Sequence, residues 1–190
     1  MHCAAKLRVA LKDKLLLFTF RTKAEGGKVA LAHEEYLHFI RTVLATDCAD
    51  LIDIEFFTAG AELPALIEEA RTAGAAVVCS SHDFHKTPPR AELVSRMVAM
   101  QRAGADLPKL AVMPQSRTDV LELLAATAEM ADRHPETPII TMSMGALGAV
   151  SRLSGEALGS AMTFANPGQA SAPGQVSLDV VNEVLDALHL

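Results

Sequence analysis

A chain of 190 residues is long enough for one domain with a sizeable core. Half of the residues are apolar and 21% are charged, which excludes a disordered chain. The formal net charge of −6 comes without a basic stripe, so nucleic acid is not an expected partner, and no apolar run reaches the ~18–20 residues of a membrane span.

The opening stretch, MHCAAKLRVALKDKLLLFTF, scatters its charges and has no signal-peptide architecture. It reads as the end of a helix running into a strand. The cysteines Cys3, Cys48 and Cys79 form no CxxC pair and no zinc pattern. Cys79 sits in an apolar run and is expected to be a buried thiol, and the compartment is expected to be reducing and cytoplasmic.

Six short β-rich runs follow in order, at residues 15–20, 51–57, 76–80, 110–113, 139–144 and 161–164. Between them apolar residues recur at helical spacing: Tyr36, Leu37, Ile40, Val43 and Leu44; Leu63, Leu66, Ile67 and Ala70; Leu93, Met97 and Met100; Val120, Leu123 and Leu124. A last helix is predicted over residues 178–188. Met97, Met100 and Met130 fall on these apolar faces and are expected in the core.

Strand and helix in unbroken alternation mean βα units and a parallel sheet. Periodicity alone leaves a doubly wound sheet and part of a (β/α)8 barrel both open. Two features favour the barrel. No Gly-rich phosphate fingerprint follows the first strand, and Arg21, Ser81, His82 and Ser143 stand at the carboxyl ends of strands, where barrels collect catalytic groups. No linker divides residues 1–190, so a single domain is expected. The Gly/Pro/Ser-rich residues 166–174 read as an active-site loop.

Several residues stand out chemically. Lys109 enters an apolar strand, in DLPKLAVMP, where an ammonium is costly to bury. A lysine that readily sheds its proton there suits imine formation with a ketone. Its ordinary reading is an edge lysine whose head reaches water. His82 and His85, in SHDFHKTP, follow a strand and suit proton transfer; alone, either is equally a loop histidine bonded to a carbonyl. Arg21 and Glu25, in FTFRTKAEGG, suit a hydroxyl-rich or carboxylate ligand and a histidine-orienting carboxylate. Arg152 is placed to clamp a carboxylate, and Ser171 and Gln175 flank a Pro-Gly turn as neutral hydrogen-bonding groups. Met142 and Met144 alternate on a strand beside these groups.

Taken together, FTFRTKAEGG, IDIEFFT, SSHDFHKTP, GADLPKLAVMPQ, PIITMSMGALGAVSRLSGE and SAPGQ resemble type I 3-dehydroquinate dehydratase, in family order over most of the chain. The resemblance implies a (β/α)8 barrel, usually dimeric, without metal or organic cofactor. It implies that Lys109 forms an imine with 3-dehydroquinate, that His82 shuttles protons and that Glu25 pairs with the histidine. Arg152, Ser171 and Gln175 match residues binding the substrate carboxylate and a neighbouring hydroxyl. Arg21 matches an arginine on the hydroxyl-bearing side of the ring, and Met142 and Met144 match pocket methionines.

Residues 15–20 match the family's third strand, so the barrel is expected to lack its first two βα units. Activity is then expected to be weakened, since each lost polar contact costs ~1–3 kcal/mol. The competing expectations are a non-catalytic homologue and another imine-forming barrel lyase; SHDFHKTP and SAPGQ speak against the latter.

Overall fold

The computed structural model describes residues 2–188, and for residues 2–5 the backbone alone. The side chain of Cys3 therefore lies outside the described residues. The chain divides into two compact units, Met1–Ser81 with Met100–Leu107, and His82–Ala99 with Pro108–Leu190.

In the first unit, helix α1 (His2–Leu11) leads into strand β1 (Leu17–Thr19), as the opening stretch suggests. Helix α2 (His33–Leu44) precedes β2 (Leu51–Glu55), which runs directly into a short helix α3 (Phe56–Ala59) and then α4 (Leu63–Thr72) and β3 (Ala76–Asp83). β2 pairs in parallel with β1 and with β3, with Ile52 level with Phe18 and with Val77. The predicted apolar stripes form the core: Tyr36, Leu37 and Ile40 on α2 and Leu63, Leu66 and Ile67 on α4 are all at most 2% exposed. The phenol of Tyr36 accepts a hydrogen bond from the Glu55 backbone N–H at 2.8 Å. Burial pushes that phenol's pKa well above its ordinary value, so it stays neutral. Phe39 of α2 packs against Phe18 and Phe20, with ring centroids 6.0 and 4.8 Å away.

The strand predicted over 51–57 is shorter than expected. Phe56 and Phe57 begin α3 and pack edge to face, 5.1 Å apart, on a helical turn. Cys79 is fully buried as expected, and burial raises its thiol pKa far above the ordinary value.

Helix α5 (Arg90–Arg102) spans the boundary between the units in sequence, and strand β4 (Leu107–Val112) begins at it. In the second unit, α6 (Arg117–Arg133), β5 (Ile140–Ser143), α7 (Ala149–Leu153) and α8 (Leu178–Leu188) follow. α6 starts at Ser116, whose hydroxyl accepts from the Asp119 N–H, a side-chain cap of its first turn. β4 and β5 pair in parallel, Lys109 beside Ile140 and Ala111 beside Met142. Met97, Met100 and Met130 are each fully buried, as expected of core residues.

Five strands form among the described residues, one fewer than the sequence suggests. The predicted run at 161–164 is not a strand. Its ends are tied, by Ala161 N–H to the Ile139 carbonyl at 2.8 Å and by Asn166 N–H to the Val176 carbonyl at 2.9 Å. A β-rich composition gives a strand only where a ladder partner lies alongside, and here bridging stops at Ser160 and resumes at Asn166. Among the described residues, no helix is long and apolar enough to cross a membrane.

Candidate active site

The second unit holds the lysine. β4 begins earlier than predicted, so Lys109 lies inside the strand rather than at its edge, and it is 6% exposed. Strand alternation puts Lys109, Ala111, Ile140 and Met142 on one face and Leu110, Val112, Thr141 and Ser143 on the other. The second face looks toward α6, where the Thr127 and Thr141 hydroxyls meet at 2.7 Å. Lys109 therefore points away from the helix layer, and its Nζ lies over the Phe164 ring, 4.6 Å from the centroid.

His82 is on β3, near the strand's carboxyl end, and is half-buried. His85 is exposed in the loop that follows. The Asp83 carboxylate shapes that loop by accepting from the His85 and Lys86 N–H groups at 2.9 and 3.0 Å. The two histidines of SHDFHKTP thus have different settings, and the half-buried one on the strand is the one singled out above.

Arg152 is on α7 and only 2% exposed. Its Nη2 donates to the Pro173 carbonyl at 3.2 Å, and its Nη1 faces the Met142 sulfur at 3.4 Å. Its Nε has no hydrogen-bond partner. Burial without a carboxylate lowers the guanidinium pKa from its ordinary value. A buried cation with neutral neighbours and an unused donor is a site that an anionic group would complete.

The loop carrying Ser171 and Gln175 is folded on itself. The Gln175 side-chain oxygen accepts from the Ser171 N–H at 2.7 Å and lies 3.2 Å from its hydroxyl. The loop also docks on the turn after β5, because Gly145 N–H donates to the Pro173 carbonyl at 3.2 Å. Gly174 makes the approach possible: its φ is +75°, and a Cβ there would stand 2.2 Å from the Gly145 oxygen. Pro173 thereby links the loop to Arg152. Met142 and Met144 are 5% and 2% exposed.

The first unit holds Arg21 and Glu25. Residues Lys23–Glu25 form one turn of 3-10 helix, closed by Gly27 N–H to the Thr22 carbonyl at 2.8 Å. A Cβ at Gly27 would stand 1.8 Å from the Arg21 carbonyl oxygen, so only glycine fits this fold-back. The turn buries Glu25 to 5% exposure and brings it 3.4 Å from Arg21 Nη1.

Arg21 is held by more than Glu25. Its Nη1 also donates to Glu55 at 2.9 Å and to the Ser80 hydroxyl at 3.0 Å, and its Nη2 donates to Asp53 at 2.8 Å. Ser80 in turn donates to Asp53 at 2.5 Å. Burial works to lower the Arg21 pKa, but Asp53, Glu55 and Glu25 outweigh it and the pKa is raised. Glu55 also accepts from the Thr22 N–H and hydroxyl and from the Thr58 hydroxyl, at 2.6 to 2.8 Å. Asp53, Glu55 and Ser80 were not singled out from sequence. The signal was present in IDIEFFT: two carboxylates two residues apart in an apolar strand share one face and need a buried cation.

The family model for type I 3-dehydroquinase matches residues 1–190. The chain belongs to the type I 3-dehydroquinase family. It is 50% identical over 188 residues to the 3-dehydroquinate dehydratase of Klebsiella pneumoniae, covering 99% of this chain and 75% of that protein. The Salmonella typhimurium enzyme of that name is 48% identical over 189 residues, with the same 75% of its length covered. Among solved structures, the type I 3-dehydroquinate dehydratase of Clostridium difficile, bound to covalently modified comenic acid, superposes with a TM-score of 0.94. It is 45% identical over 99% of this chain and 74% of that one. Members of the type I 3-dehydroquinase family are lyases of the shikimate pathway. The expected α/β, incomplete barrel-type fold agrees with this likeness.

Proposed function

We propose that this type I 3-dehydroquinase works through a Schiff base on Lys109, converting 3-dehydroquinate to 3-dehydroshikimate. The observation that carries the proposal is Lys109 itself, buried within a strand and facing away from the helix layer. An amine held in one place within a strand is a nucleophile suited to imine formation with a ketone.

The Lys109 amine adds to the C3 ketone, and the carbonyl oxygen leaves as water. The resulting iminium draws electrons from the C2–H bond. His82 takes the C2 proton and delivers a proton to the C1 hydroxyl, which departs as water. Water then cleaves the product iminium and frees Lys109. The iminium is the electron sink, so the chemistry calls for neither metal nor organic cofactor.

The remaining roles rest on the resemblance. Glu25 orients and charge-tunes the histidine. Arg152 clamps the substrate carboxylate; its unpaired Nε and lowered pKa support that role. Ser171 and Gln175 hold the neighbouring hydroxyl, Arg21 addresses the hydroxyls across the ring, and Met142 and Met144 line the pocket. The enzyme acts as a homodimer in the cytoplasm.

The test is mass spectrometry after incubation with 3-dehydroquinate and borohydride. The expected result is a reduced adduct on Lys109 that is missing in Lys109→Ala. A folded wild-type chain that gives dehydroshikimate without any adduct would overturn the Schiff-base assignment.

A further inference from the structure

Lys109 Nζ sits 4.6 Å from the centroid of the Phe164 ring, within the range of a cation–π contact. The ring is not there by strand pairing. Phe164 lies in the unladdered residues 161–165, whose ends are pinned by Ala161 N–H to the Ile139 carbonyl and by Asn166 N–H to the Val176 carbonyl. The stretch is thereby fixed against Ile139, just before β5, on one side and the loop before α8 on the other. Those anchors set an aromatic face over the one nitrogen that becomes covalently bound.

We propose that Phe164 keeps that nitrogen cationic during the covalent cycle, favouring the protonated iminium over the neutral Schiff base. The inference deepens the Lys109 assignment and rests on it. Forming the iminium joins Nζ to the ketone carbon and expels the carbonyl oxygen as water, leaving one positive charge on nitrogen. That charge makes the adduct an electron sink; a neutral imine acidifies its neighbouring C–H far less. Lys109 is nearly excluded from solvent, so water cannot supply the stabilisation. A ring face with negative potential supplies part of it and makes no demand on the N–H donors. The ring has little attraction for a neutral imine, so it separates the two protonation states by charge rather than by shape.

The test replaces Phe164 by 4-fluoro-, 3,5-difluoro- and 3,4,5-trifluorophenylalanine in the full chain. Fluorine drains the ring's negative face while nearly preserving its size. Thermal melts verify that each variant folds. The readout is the initial rate of borohydride reduction on Lys109 at saturating 3-dehydroquinate, since borohydride reduces the iminium much faster than the neutral imine. The logarithm of that rate is expected to fall in even steps with fluorination, by roughly 2- to 30-fold across the series, the span of a cation–π contact. Phe164→Trp should retain trapping, and Phe164→Leu should fall at or below the trifluoro variant. A flat series beside a trappable wild-type chain overturns the inference and leaves the Lys109 assignment standing. A wild-type chain that is not trapped removes the Lys109 assignment, and the inference with it.

Discussion

Arg21 and Asp53 form a buried ion pair, Nη2 to Oδ2 at 2.8 Å, with Asp53 wholly shielded from solvent. The Ser80 hydroxyl bridges the two, lying 3.0 Å from Arg21 Nη1 and donating to Asp53 at 2.5 Å. A guanidinium held from several sides keeps one orientation, which suits a group proposed to meet substrate hydroxyls. Arg21 meets three carboxylates, since Glu55 and Glu25 also face it.

This shared cation gives the first prediction. Arg21→Met removes the guanidinium that Asp53, Glu55 and Glu25 all face and should cost about 3–5 kcal/mol at neutral pH, the range for breaking a buried pair. Asp53→Asn leaves Arg21 with Glu55 and Glu25 and should cost less. Urea melts of both variants at pH 7 measure it; an Arg21→Met deficit no larger than that of Asp53→Asn would contradict the account.

A second prediction concerns Arg152. It is buried with a thioether and a carbonyl for neighbours, so removing its charge should leave the fold intact. Arg152→Met should keep the wild-type melting temperature within a few degrees. If the guanidinium clamps a carboxylate, KM for 3-dehydroquinate should rise by roughly 10- to 100-fold, the loss of ~1.5–3 kcal/mol for a hydrogen bond to a charged group. Steady-state kinetics and a thermal melt on the same preparation test both halves.

Much of this arrangement was legible in the sequence, for physical reasons. A lysine inside an apolar run announces a costly burial, and β4 bears that out at Lys109. The helical stripes on α2 and α4 became the core, because amphipathic spacing is a local property of the chain. The partners of Arg21 were harder to see. Asp53 and Ser80 lie 32 and 59 residues further along, and their meeting depends on β1, β2 and β3 lying in register. The run at 161–164 misled for a related reason: strand composition is local, but a ladder partner is not.

A third prediction follows from the docked loop. Gly174 holds a left-handed φ of +75° and lies against Gly145, where a Cβ would overlap backbone atoms. Gly174→Ala should lift the loop, break the Gly145 N–H to Pro173 contact and loosen the Pro173 carbonyl from Arg152. The expected outcome is a several-fold higher KM with borohydride trapping on Lys109 retained at saturating substrate. Equal KM values in wild type and variant would show that the loop does not position Arg152.

The last prediction concerns the junction of α1 and β1. Asp50 accepts from the Leu16 N–H at 2.6 Å and pairs with Arg8, whose guanidinium also reaches the Lys12 carbonyl at 2.8 Å. The Leu16 N–H first, and then Arg8, hold the Asp50 pKa below its ordinary value. A carboxylate with a depressed folded-state pKa stabilises the fold above its unfolded pKa of ~3.9, and that contribution fades as pH falls through the lower folded value. Asp50→Asn should therefore lower the melting temperature at pH 7, by an amount nearly constant down to pH 5. The gap from wild type should narrow as pH drops below ~4, where the native carboxylate is itself being neutralised. Because Asp50 joins α1 to the start of β1, the same variant should speed amide hydrogen exchange in residues 6–17 before it does so in β2. Exchange rates that rise equally in both segments at pH 7 would mean that Asp50 supports the unit as a whole rather than this junction.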